Sequence, residues 1–161
     1  MITTDSESGT QAAGRALGPL LVAGDVILLA GDLGAGKTAL VKGIAVGLEV
    51  DGPVTSPTFN ILLVHPGRLP LYHIDLYRLD LASQLEDIDY FGTLEAGGVT
   101  AVEWGDRFAE AAPADHVVLQ LEIVDDDRRR IRIDHRGPRG AALAAAWLDA
   151  CESLDDAQVC R

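Results

Sequence analysis

The apolar and polar positions of this chain alternate between short aliphatic runs and stretches with helical spacing. Apolar residues recur at helical spacing over residues 10–21, which predicts an amphipathic helix capped by Ser8 or Thr10. The aliphatic run 25–30 lies between two glycines, a pattern typical of a parallel strand buried on both faces. A glycine loop and a second helix, over residues 37–48, are predicted to follow.

The second half of the chain indicates hairpins as well as parallel strands. Residues 60–75 contain two β-like runs joined by Pro66-Gly67-Arg68, which predicts a hairpin. The remaining predicted elements are a helical patch over 84–91, strands over 99–104, 116–124 and 130–134, and a helix over 139–154. This order favours an α/β domain with a mixed sheet, in which a parallel core is extended by antiparallel hairpin strands.

Composition and charge narrow the possible function. The 161 residues include 13 Lys and Arg against 25 Asp and Glu, which gives a net charge of −12. Nucleic-acid affinity depends on basic groups that displace counterions from phosphates, so the chain is not expected to bind DNA or RNA alone. With 48% hydrophobic residues it is expected to fold as a single domain over residues 1–161, with the last ~10 residues as a candidate disordered tail.

The chain carries no sequence signal for export or for a metal centre built only from side chains. Its N-terminus is acidic and its longest aliphatic run is Val26–Ala30, so a soluble cytoplasmic protein without membrane contact is expected. Cys151 and Cys160 match no zinc or redox spacing and are interpreted as reduced thiols. The four histidines show no HxxxH or HExxH grouping.

The strongest motif is GDLGAGKT, which matches GxxxxGK[ST] at every fixed position. Glycines allow backbone N–H groups to converge on phosphate oxygens, Lys37 can reach the β and γ phosphates, and Thr38 can bind Mg²⁺. The helix that begins here directs its positive end at the anion. The candidate nucleotide-binding residues are therefore Gly31, Asp32, Leu33, Gly34, Ala35, Gly36, Lys37 and Thr38.

A dinucleotide-binding fingerprint is the competing interpretation of this glycine loop. Gly34, Gly36 and Ala39 also fit GxGxxA, but that interpretation gives Lys37 and Thr38 no role. The phosphate-loop interpretation uses both and is preferred. ATP is favoured over GTP, because the guanine-binding NKxD motif is absent: Ile follows the only Asn, Asn60.

Phosphate-loop chemistry also requires carboxylates near Mg²⁺, usually at the ends of neighbouring strands. Asp75 ends the run LYHID and Glu103 ends VTAVE, so both are candidate metal-site and catalytic acids together with Lys37. Thr58, in SPTF, is a candidate switch residue that senses the γ-phosphate. The run Arg128–Arg130 follows three aspartates and is interpreted as a self-neutralising hairpin tip, with a phosphate lid as the alternative.

These motifs together resemble the TsaE (YjeE) family of small bacterial P-loop ATPases, which takes part in threonylcarbamoyladenosine modification of tRNA. The resemblance rests on GDLGAGKT (31–38), SPTF (56–59), HIDLYRL (73–79), LEDIDYF (85–91) and VEW (102–104), in that order. It implies a P-loop NTPase-like three-layer fold, ATP and Mg²⁺ as cofactors, and slow ATP hydrolysis in support of the partners TsaD and TsaB, with tRNA met only through that complex.

The resemblance also implies roles for single residues. It gives Asp75 the position of a Walker B-like acid, makes Glu103 a further acid of the magnesium site, and puts Thr10 near the nucleotide. Two other functions remain open on the sequence. One is a small-molecule kinase in which Asp75 and Arg78 handle the acceptor and Arg128–Arg130 form the lid, and the other is a nucleotide-gated binding module without turnover.

Overall fold

A computed structural model describes residues 1–155 and 157–159, which form a three-layer α/β arrangement. The described strands are β1 (Ile2–Thr4), β2 (Val26–Ala30), β3 (Leu62–His65), β4 (Leu71–Asp75), β5 (Val99–Glu103), β6 (His116–Ile123), β7 (Arg129–Arg136) and β8 (Ala157–Val159). The described α-helices are α1 (Glu7–Leu17), α2 (Lys37–Gly47), α3 (Gln84–Asp87), α4 (Tyr90–Leu94) and α5 (Gly137–Cys151), with 3₁₀ helices at Gly18–Leu20 and Gly105–Ala111.

The sheet is mixed, as the sequence predicts. Its order is β3-β4-β5-β2-β6-β7-β1-β8 across the described residues. Strands β4, β5, β2 and β6 pair in parallel, whereas β3 joins β4, and β7 joins β6 and β1, in antiparallel pairs. All five residues of β2 and all five of β5 are buried, as expected for central parallel strands covered on both faces.

Alternate residues of β2 face two separate apolar cores. Ile27 and Leu29 pack with α1, α2 and α5 on one side of the sheet, whereas Val26 and Leu28 pack with α3 and α4 on the other. This division follows from the period of two along a strand. The sheet is therefore the middle of three layers, and the carboxyl ends of its parallel strands all lie on the same side of the molecule.

Helix α1 begins earlier than the sequence suggested. Ser6, and neither Ser8 nor Thr10, caps the helix, because its hydroxyl accepts a hydrogen bond of 2.9 Å from the backbone N–H of Gly9. The helix ends at Leu17 and continues as the 3₁₀ turn that contains Pro19. Thr10 consequently lies inside the helix, where its side chain faces the interior and is 1% exposed.

Other differences from the prediction occur at element ends. The helical patch divides into α3 and α4 because Asp89 adopts a left-handed conformation with φ of 51°. Trp104 also has a positive φ, of 59°, and ends β5 at Glu103. The short strands β1 and β8, of which β8 forms the edge of the sheet, were not predicted.

The described part of the C-terminal segment contains a short strand. Ala157–Val159, which lie within the last residues of the chain, form an edge strand paired with β1. Cys151 is a free, buried thiol at the end of α5, whereas Cys160 lies outside the described residues. No helix in the described ranges is long and apolar enough to cross a membrane.

Candidate functional site

The glycine loop between β2 and α2 has the backbone conformation that its glycines permit. Gly31, Gly34 and Gly36 have φ values of 134°, 80° and 99°, which residues with a Cβ rarely adopt. A Cβ at Gly31 would also overlap the carbonyl oxygen of Leu121 on β6. Gly36 directly precedes α2, so the free backbone N–H groups of the first helical turn face the loop.

Lys37 is held inside this loop. Its ammonium group donates hydrogen bonds of 2.6 Å to the carbonyl oxygen of Gly31 and 2.9 Å to that of Asp32. The same Nζ lies 3.9 Å from the ring centroid of Trp104. Burial lowers the pKa of Lys37 below its ordinary 10.5, although nearby acids, with Glu103 the strongest, oppose this effect.

Asp75 and Glu103 meet at the carboxyl ends of adjacent parallel strands. The two residues pair in register between β4 and β5, and each is 3% exposed. Thr38 donates from its hydroxyl to Oε1 of Glu103 at 2.8 Å, and Thr58 donates from its hydroxyl to Oδ2 of Asp75 at 3.0 Å. The expected association of these four residues with the loop is thus present in the fold.

A buried histidine completes the surroundings of Glu103. Nε2 of His73 lies 2.8 Å from Oε1 of Glu103, and the His73 side chain is fully buried. The His65 ring lies on the same side of the hairpin, with its centroid 6.3 Å from that of His73. Burial lowers the pKa of His65 below its ordinary 6.5.

A cleft of about 460 Å³ lies over the loop and these side chains. This volume falls within the range of small-molecule and cofactor sites. The candidate residues that line it are Thr10, Leu33, Gly34, Gly36, Lys37, Thr38, Thr58, Asp75 and Glu103. The candidates Gly31, Asp32 and Ala35 do not line it. The carbonyl oxygens of Gly31 and Asp32 accept hydrogen bonds from Lys37, and Ala35 is a fully buried residue of the loop.

The cleft and the core next to it contain side chains that the sequence reasoning did not single out. Trp104 covers Lys37 and packs against Tyr77, with ring centroids 5.0 Å apart. His73 could have been found from the sequence, because it is two residues before Asp75 and so faces the same side of β4. Trp104 offered a weaker signal, namely an aromatic residue directly after a candidate acid at a strand end.

The β6–β7 hairpin tip has two parts. Arg128 pairs with Asp125 at 2.6 Å, as expected for a self-neutralising tip. Arg129, in contrast, lines the cleft, and its Nη2 lies 3.4 Å from the carbonyl oxygen of Gly34. Arg78, the acceptor-handling residue of the kinase hypothesis, instead stacks on Phe59, with Cζ 4.6 Å from the ring centroid.

The oxygen donors at the cleft fit a magnesium ion in chemical type. Thr38 offers a hydroxyl, and Asp75 and Glu103 offer carboxylates, all next to the phosphate loop. Mg²⁺ in proteins is commonly held by one or two carboxylates together with substrate phosphates and water. Across residues 1–155 and 157–159, no group of three or more His, Cys, Asp or Glu side chains is arranged to hold a metal ion.

The strand–loop–helix geometry and the mixed sheet define the P-loop class of α/β proteins. The family model described as "Threonylcarbamoyl adenosine biosynthesis protein TsaE" matches residues 4–131. The chain therefore belongs to the TsaE family.

Individual relatives agree with this assignment. The chain is 41% identical over 128 residues to a Treponema pallidum protein named tRNA threonylcarbamoyladenosine biosynthesis protein TsaE, a match that covers 80% of this chain and 95% of the relative. A Streptomyces coelicolor protein of the same name is 44% identical over 143 residues, with 84% and 96% covered. The crystal structure of Bacillus subtilis YdiB superposes with a TM-score of 0.74 at 32% identity, covering 91% of this chain and 93% of YdiB.

Proposed function

We propose that this chain is a magnesium-dependent ATPase that binds ATP at Gly31–Thr38 and Mg²⁺ at Thr38, Asp75 and Glu103. The proposal rests on one observation: the hydroxyl of Thr38 donates a hydrogen bond of 2.8 Å to Oε1 of Glu103, and Asp75 pairs in register with Glu103 on the neighbouring strand. Residues from three elements thus converge where the terminal phosphates of a nucleotide on this loop would lie.

The chain's own residues have distinct roles in the proposed reaction. Lys37 exchanges its bonds to the carbonyl oxygens of Gly31 and Asp32 for bonds to phosphate oxygens. Bound Mg²⁺ supplies neutralisation of the phosphate charge. Glu103 orients the hydroxyl of Thr38, and Thr58, bonded to Asp75, is placed to respond to the loss of the terminal phosphate.

We further propose that the ATPase supports tRNA threonylcarbamoyladenosine modification in the cytoplasm, as an accessory subunit of TsaD and TsaB. Family membership and the names of the relatives support the pathway. The two partners follow from the sequence resemblance. The proposal leaves transfer of the threonylcarbamoyl group to TsaD and gives this chain the hydrolysis of ATP to ADP and phosphate.

Substitution of Lys37 by alanine tests the site. Because charge-assisted hydrogen bonds to phosphate are lost, we expect Lys37→Ala to weaken ATP binding at least about tenfold and to abolish turnover. Isothermal titration calorimetry with Mg²⁺ and ATP measures the affinity, and phosphate release measures turnover.

Arg15→Ala is the matched control, since Arg15 is an exposed cation in the last turn of α1 and does not line the cleft. It removes the same net charge and is expected to cost less affinity. Undiminished ATP binding by folded Lys37→Ala, or an equal loss in both variants, would contradict the assigned site.

A further inference from the structure

His73 occupies a position from which it can control Glu103 without reaching the cleft. It lies on β4 two residues before Asp75, is fully buried, and does not line the cleft. Because Asp75 pairs with Glu103 across β4 and β5, His73 is a diagonal neighbour of Glu103 on the same face. The contact between Nε2 and Oε1 is 2.8 Å long.

The hydrogen bonds around Glu103 determine which nitrogen of His73 carries a proton. A carboxylate only accepts hydrogen bonds, so Nε2 must be the donor. Nδ1 is buried and has no hydrogen-bond partner among the described residues. In the tautomer protonated at Nε2, Nδ1 is only an acceptor without a partner. The other tautomer would bury an unpaired N–H at Nδ1 and direct the lone pair of Nε2 at a carboxylate, which costs more free energy. The surroundings therefore select the tautomer protonated at Nε2.

Two donors thus hold the same oxygen of Glu103. Thr38 donates to Oε1 from one side of the cleft floor and His73 donates to it from the core, each at 2.8 Å. Neither bond uses Oε2. Because the bond from the core does not depend on what occupies the cleft, His73 can keep the carboxylate in place when the hydroxyl of Thr38 changes its partner.

We propose that His73 is a positioning residue, which through its Nε2–H fixes the Glu103 carboxylate for the reaction. The inference rests on the proposed ATPase function of the same cleft. It predicts that loss of the donor lowers turnover while leaving nucleotide affinity nearly intact, because Lys37 and the loop are untouched. Groups that orient the residues around a metal typically contribute about 10–100-fold to activity or metal affinity.

Three variants separate hydrogen bonding from packing. His73→Leu removes the donor and keeps an apolar side chain in the core. His73→Gln restores an N–H near the position of Nε2. His65→Leu is the matched control, since His65 belongs to the same hairpin and lies near His73 but has no bond to Glu103. Thermal unfolding of each variant establishes that it is folded.

We expect His73→Leu to lower kcat at least about tenfold with the dissociation constant for ATP changed less than about threefold. His73→Gln should recover most of the lost activity, and His65→Leu should remain close to the wild type. If His73→Leu is as active as His65→Leu, or if folded His73→Gln is as impaired as His73→Leu, the positioning role is wrong.

A second measurement does not depend on activity. Nitrogen-15 spectra of histidine-labelled, nucleotide-free protein distinguish a protonated Nε2 from a protonated Nδ1. We expect His73 to show a protonated Nε2 and a bare Nδ1, and the opposite tautomer would overturn the proposal. A wild-type chain that neither binds nor hydrolyses ATP would instead refute the proposed function, whereas an active wild type with an unaffected His73→Leu refutes only the positioning role.

Discussion

At the scale of single residues, burial controls the chemistry of Cys151. The side chain is fully buried at the end of α5, and this burial raises the pKa of the thiol from its ordinary 9.0 to about 12. The thiolate is the nucleophile that attacks a thiol reagent, so a raised pKa and an inaccessible sulfur both protect the residue. Cys151 is therefore expected to pack as an apolar residue in the native protein.

A labelling experiment tests this expectation in a Cys160→Ser variant, which retains a single cysteine. Ellman's reagent should modify the native variant far more slowly than the urea-unfolded variant. Raising the pH from neutral to about 9 should accelerate the unfolded sample strongly but not the native one, because only the unfolded thiol ionises in that range. Equal rates before and after unfolding would show that Cys151 is accessible.

Sequence reasoning named half of the residues that line the cleft but not the contacts that hold them. Lys37, Thr38, Asp75 and Glu103 were found because each belongs to a motif or ends a predicted strand, and motif chemistry is local. The contacts of His73 with Glu103 and of Trp104 with Lys37 join segments that are distant in the sequence. Spacing along one strand did not show which carboxylate His73 would contact.

At the scale of elements, α1 and α2 pack with almost no space between their backbones. A Cβ at Gly43 of α2 would overlap the carbonyl oxygen of Gln11 on α1, and one at Gly14 would overlap that of Leu40. These glycines weaken each helix by about 1 kcal/mol relative to alanine, so the close packing must compensate for that cost. Helical periodicity could not predict this close packing, because glycine only lowers the helix propensity of a segment and gives no sign of a neighbouring helix.

Gly43→Ala should therefore destabilise the protein in spite of its higher helix propensity. We expect the free energy of unfolding to fall by ~1–3 kcal/mol, because backbone atoms must move apart to admit the methyl group. Urea unfolding followed by circular dichroism measures the change. Val46→Ala is the control, since Val46 lies on α2 with its side chain 57% exposed, and should have little effect. An unchanged or higher stability of Gly43→Ala would contradict the close packing.

The strands that the sequence missed are short and lie next to each other at one end of the strand order. β1 and β8 have three residues each, too few for an alternating pattern to stand out. Their pairing with β7 and with each other satisfies backbone groups of segments that are remote in sequence. The interior strands β2 and β5 were found because burial on both faces requires a continuous apolar run.

At the scale of the whole molecule, the few cations of the cleft lie among acids on an acidic protein. The net charge is −12, and one of the two lysines lies in the phosphate loop with Arg129 at its rim. Basic residues elsewhere are partly neutralised, as in the pairs of Arg139 with Asp25 and of Arg132 with Glu122. Phosphate binding at the loop would therefore depend on direct contacts such as those of Lys37 and not on a positive field, while the acidic surface disfavours a polynucleotide.

This charge distribution predicts how the chain takes part in tRNA modification. Alone, it should not retain tRNA in a gel-shift assay at physiological ionic strength, because an acidic surface repels the phosphate backbone.

Together with TsaD and TsaB, it should support repeated rounds of modification, measured as threonylcarbamoyladenosine formed per complex. Replacing ATP by a nonhydrolysable analogue should abolish the repeated rounds. Replacing the chain by its Lys37→Ala variant should have the same effect. Normal turnover without ATP hydrolysis would refute the ATPase role, and tight tRNA binding by the isolated chain would refute the charge argument independently.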